Sequence, residues 1–115
     1  MQFSQFLGKR VGLMISDPWD FGTECGVGPF YGHIADLSAE QLLIVLECPI
    51  KYSNVPYFSA ICQVRHDGIS IADLRVKGPV SMNVTLLAVS AKRLADIKDD
   101  DLQRGIAAIG TVELS

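Results

Sequence analysis

Residues 29–48 read PFYGHIADLSAEQLLIVLEC, and the fold turns on how they are taken. Leu42-Leu43-Ile44-Val45-Leu46 is the most continuous apolar run of the chain and ends at Glu47 and Cys48. Apolar residues without alternation predict a strand covered on both faces, and so a central one. Leu37-Ser38-Ala39-Glu40 can also open a helix, with Ser38 as its N-cap. The aliphatic and β-branched residues after Gln41 favour strand, which makes 29–48 a hairpin closed by a short polar turn. Everything else is expected to pair with this hairpin or cover it.

Upstream, Phe3, Phe6 and Leu7 are spaced i, i+3, i+4, and Gly8 can close a short helix whose aromatics lie over one mouth of the sheet. Lys9 to Ser16 alternates, with Val11, Leu13 and Ile15 on one face and Arg10, Gly12 and Met14 on the other, giving the first strand. Asp17 to Gly28, DPWDFGTECGVG, is a long loop whose Trp19 and Phe21 are too apolar to stay free of contacts.

Downstream, Pro49 to Pro56 reads as an irregular link. Tyr57 to Arg65 alternates again, with Phe58, Ala60, Cys62 and Val64 expected inward. Asp67-Gly68 is a hairpin turn, and Ile69 to Val76 a strand whose phase slips at a bulge near Ala72-Asp73. After the turn at Gly78-Pro79, a long strand puts Val80, Met82, Val84, Leu86 and Ala88 on one face. Leu94 and Ile97 then fit a helical turn. Asp99 is the expected cap of a helix with Leu102, Ile106 and Ile109 on one stripe and Gly110 at its end, and Thr111 to Leu114 is a possible edge strand. The fold expected is mainly β: a strongly curved sheet or small barrel of five to six antiparallel strands, with a short N-terminal and a C-terminal helix. One domain spans 1–115, its core at about 9–89 and a helical extension at 90–115.

The chain has 115 residues, of which 49% are hydrophobic, enough for a core and against wholesale disorder. Its net charge is −3 and its basic residues are scattered, which disfavours nucleic acid as partner. Cys25, Cys48 and Cys62 are an odd set, and no signal peptide or membrane-length apolar run is visible; reduced thiols and a cytoplasmic location are the expectation.

The first strand, then Phe30-Tyr31-Gly32-His33-Ile34-Ala35-Asp36 and Leu42–Leu46, resembles the first block of Sm-like proteins, with their SH3-type barrel. In that family a glycine bends the second strand, an acidic residue ends it and an apolar third strand follows. Val76-Lys77-Gly78 leading into Val80-Ser81-Met82 is similar to the second block. The resemblance spans about residues 3 to 89 and implies a ring-forming RNA binder. The position that reads uracil in the family falls near Glu40, whose carboxylate would repel RNA, and 17–28 and 49–67 stand as insertions. The barrel transfers more readily than the RNA.

Trp19, Asp20, Phe21, Glu24 and Tyr31, with Phe30, mix aromatics and carboxylates. Such a set can cage a cationic ligand or hold a peptide between barrel loops, or its aromatics can simply plug the barrel mouth. Cys25, His33, Cys48, Cys62 and His66 show no close metal-ligand spacing; Cys48 and Cys62 are expected to be buried apolar residues. A small enzyme using Cys25, with His33 or His66 as base, or using a carboxylate, is the alternative reading, and Glu24 beside Cys25 opposes thiolate formation. The expectation is a non-enzymatic binding or assembly module without cofactor, contacted through 17–31. The apolar stripe of the C-terminal helix, or a spare edge at Thr111–Leu114, would make it a homo-oligomer.

Overall fold

The computed structural model describes residues 5–17, 26, 28–65, 71–75 and 78–115. Strands β1 (Arg10–Asp17), β2 (Phe30–Leu37), β3 (Gln41–Tyr52), β4 (Val55–Val64), β5 (Val80–Leu87) and β6 (Ile106–Leu114) follow one another around a closed antiparallel barrel. The last strand returns to pair with the first, so no strand is left as a free edge along its whole length. Alternation explains the filling: Val11, Leu13, Ile34, Leu42, Ile44, Met82, Val84, Leu86 and Val112 all meet inside.

The central hairpin is as expected. Ser38 N–H donates to the Gln41 carbonyl, and the Gln41 N–H donates to Ser38 Oγ at 3.3 Å, which closes the turn between β2 and β3. Leu43 faces away from the interior and is nevertheless fully buried, because a second small apolar cluster lies outside the barrel. Leu43, Leu87 and Ala91 are buried without belonging to the interior cluster. Residues 88–98 leave β5, accept a 2.6 Å hydrogen bond from Ser59 of β4 at the Val89 carbonyl, and end against β2. There the Leu94 N–H donates to Asp36 Oδ2 at 2.7 Å. This strap therefore crosses β4 and β3 and covers Leu43. A register shift between Ile34 and Asp36 turns the Asp36 carboxylate outward to hold it.

Several expectations fail for identifiable reasons. Of the N-terminal helix, only a 3-10 turn at residues 5 and 6 lies within the described chain; Phe6 enters the core, whereas Leu7 is exposed. The link 49–56 is not irregular, since β3 and β4 continue to a two-residue turn at Ser53 and Asn54, with φ of 50° and 65°. Pro49 and Pro56 are tolerated because β2 pairing stops at Leu46 and β5 pairing at Ser59, leaving no outer ladder that needs their missing N–H groups. A register slip between Val45 and Ile50 reverses the faces there, so Tyr57 turns inward and Phe58, expected inside, is exposed. Within the described residues 71–75, the phase slip marks no bulged strand. Ile71–Arg75 is a 3-10 helix, whose three-residue repeat sends both Ile71 and Leu74 into the core.

The C-terminal helix shrinks to α1 (Asp99–Gln103), with the Asp101 side chain accepting from the Lys98 N–H at the cap. Ile106 and Ile109 belong to β6, where Ala108, Gly110 and Val112 satisfy an inward period of two. The stretch 111–114 pairs with β1 throughout and with β5 at Thr111 and Val112, so it is a barrel strand and not the separate edge strand expected. The turn expected at Asp67-Gly68 lies outside the described residues. Among the described residues no helix is long and apolar enough to cross a membrane.

Candidate functional site

Of the five residues singled out for binding, Trp19, Asp20, Phe21 and Glu24 lie outside the described residues, as does Cys25. Tyr31 stands on the outer face of β2 and is 37% exposed. Its surroundings follow from strand register. Gly12 of β1 lies opposite Tyr31 on one side and Glu113 of β6 on the other. Gly32 lies opposite Leu46, which brings Glu47 of β3 level with Tyr31. Glu113, Gly12, Tyr31 and Glu47 thus form one row across four neighbouring strands, a span of about 14 Å at the usual interstrand spacing.

The absent side chain at Gly12 makes a gap in this row. A Cβ there would stand 3.4 Å from Cε1 of Tyr31 and 3.5 Å from Cβ of Pro29. The gap is the floor of a groove of about 210 Å³, walled by Tyr31 and Pro29 on one side and by Pro79 and Glu113 on the other, with Met14 at one end. A second groove of the same size runs along the far side of Tyr31 between Pro29, Glu47, Cys48 and Pro49. The two share Pro29 and Tyr31.

Tyr31 already holds a cation. Cζ of Arg10 lies 4.0 Å from the ring centroid. The same guanidinium forms a fork on Glu47, Nε to Oε2 at 2.7 Å and Nη2 to Oε1 at 3.0 Å, and its Nη1 donates to Ser115 Oγ at 3.3 Å. The hydrogen bond to Arg10 holds the Glu47 carboxyl below the usual carboxylate range, and the bond to Glu47 raises Arg10 in turn. Both side chains are about half exposed, so the pair contributes little to stability; what it does is fix the ring. Glu113 makes no side-chain hydrogen bond or ion pair among the described residues. Among the described residues, two carboxylates and one guanidinium leave this row with one negative charge in excess.

Of the residues in this row the sequence reading singled out Tyr31, and not Arg10, Gly12, Glu47 or Glu113. The alternation of β1 did place Arg10, Gly12 and Met14 on a common outward face, but nothing in the sequence sets that face beside residues 31, 47 and 113. Register alone does.

The cysteines divide. Cys62 is fully buried, and desolvation pushes its thiol up to about 12; Cys48, expected inside, is exposed because the register slip turns residues 47–49 outward. In a Cys25→Ser protein at pH 8, iodoacetamide should therefore add one carbamidomethyl group to the native chain, at Cys48, and two after unfolding. Mass spectrometry reads both numbers, and rapid native labelling of Cys62 would contradict the buried assignment. Among the described residues no three His, Cys, Asp or Glu side chains come together as a metal-binding group. No protein-family model, curated protein or solved structure matches the chain.

Proposed function

We propose that this barrel is a non-enzymatic binding module whose Tyr31 face takes a cationic ligand, with a basic peptide segment as the class that fits. The observation that carries the reading is the row Glu113–Gly12–Tyr31–Glu47: an aromatic ring beside a gap, with a carboxylate on each flank and, among the described residues, one negative charge in excess. Aromatic faces attract cations through their quadrupole, and a nearby unpaired carboxylate adds Coulomb attraction. The prolines and Met14 around the gap offer apolar contact to the rest of a chain laid in the groove. Negative charge at Glu47 and Glu113 favours neither phosphate nor RNA.

A fluorescein-labelled octapeptide alternating arginine and proline is a suitable probe, read by fluorescence anisotropy at low salt. It should bind the native protein, and Glu113→Gln should weaken binding about tenfold, the order expected for losing one charge-assisted contact. Glu40→Gln removes the same charge at the β2–β3 turn and should change nothing. A glutamate–proline octapeptide should not bind. Equal losses from Glu113→Gln and Glu40→Gln would reduce the effect to net charge and end the proposal.

A further inference from the structure

We infer that the cation taken in the Gly12 gap is an arginine side chain in preference to lysine, a conclusion that rests on the cationic reading above and narrows its ligand. The ground is the protein's own Arg10. Its guanidinium lies over Tyr31 at 4.0 Å and forks onto Glu47 through two nitrogens, so this ring and this kind of carboxylate already select a planar, two-pronged cation. Guanidinium stacks on an aromatic plane and is weakly hydrated, whereas a compact ammonium keeps its water and has no face to stack. Glu113 stands across the gap as the counterpart of Glu47, one strand beyond Gly12.

Arg10 does not fill that gap itself. Nε, Nη1 and Nη2 are all engaged, on Glu47 and Ser115, which pins the guanidinium over the Tyr31 ring, and Arg10 does not line the groove. An incoming arginine brings the second positive charge, so that Arg10 with Glu47 and the ligand with Glu113 make two compensated pairs on either side of one ring. Its methylene stem lies along Pro29, Pro79 and Met14, contacts that add apolar burial.

The test sets the arginine–proline octapeptide against a lysine–proline octapeptide of the same length and charge, on the native protein and on Tyr31→Phe and Tyr31→Leu. The native protein and Tyr31→Phe, which keeps the ring, should prefer the arginine peptide by about tenfold. Tyr31→Leu should bring the two peptides to similar affinities; far-ultraviolet circular dichroism confirms that each variant is folded. Equal affinity of the native protein for both peptides, still lost on Glu113→Gln, overturns the arginine preference and leaves the cationic site standing. No binding of either peptide overturns both. A preference undiminished in Tyr31→Leu would show that the ring is not its source, and it too defeats the inference.

Discussion

Leu43→Ala is expected to lower the free energy of unfolding by about 2–5 kcal/mol, the usual cost of emptying a fully buried leucine position. A domain of this length has a total stability on the order of 5–15 kcal/mol, so the loss is a large part of it. What makes the result informative is the side on which Leu43 lies. It points out of the barrel, opposite to Leu42 and Ile44, and it is buried only because residues 88–98 cross above it. On a bare outer sheet face the same substitution would cost well under 1 kcal/mol. Urea unfolding followed by far-ultraviolet circular dichroism measures the difference, with Val45→Ala, a half-buried outward neighbour, as the internal standard. The same variant should loosen the strap, and trypsin should cut more rapidly after Lys92 and Arg93, both exposed. An unfolding midpoint for Leu43→Ala close to that of Val45→Ala would mean that the strap does not cover the strand.

Leu43 also shows what a single sequence discloses. An unbroken run at 42–46 announces a strand buried on two sides, and that much was legible; which segment supplies the second cover was not. The strap offers only the Leu94–Ile97 spacing as a local pattern, and it is held by Ser59 and Asp36, one of them redirected by a register shift that no local pattern records. The C-terminal misreading has a different origin. Leu102, Ile106 and Ile109 fit a helical stripe, while Ile106, Ala108, Gly110 and Val112 fit a strand, and the two readings share residues. Barrel closure decides between them, because β1 and β5 both need a partner and only this segment reaches them. Ile71 and Leu74 illustrate the reverse: a broken alternation was the trace of a 3-10 turn, and spacing by three was the clue. In the row proposed for binding, Tyr31 is the residue the sequence reading had singled out, because Arg10, Gly12, Glu47 and Glu113 come together only through the register of four strands.

Glycine substitutions at two positions of this face separate fold from site. A Cβ at Gly32, on the inner face of β2, would overlap the Val45 carbonyl oxygen and lie 2.7 Å from Cγ2 of Ile44. The carbonyl is backbone in the middle of β3 and cannot swing aside, so β2 and β3 must move apart at the centre of the barrel. Gly32→Ala should cost about 3 kcal/mol, at the upper end for overpacking, and Gly32→Val should leave little folded protein. Gly12 faces the other way. Its nearest obstacle is Cε1 of Tyr31 at 3.4 Å, a side-chain atom able to give by a few tenths of an ångström. Gly12→Ala should thus change stability by about 1 kcal/mol or less, while its methyl fills the floor of the groove and weakens the arginine–proline peptide at least tenfold. The two variants add the same atom to adjacent strands, one inside the barrel and one outside, and their phenotypes should be opposite. A Gly32→Ala protein with an unshifted urea midpoint would contradict the close approach of β2 and β3. A Gly12→Ala protein that binds the peptide as the native chain does would remove the groove from the function altogether.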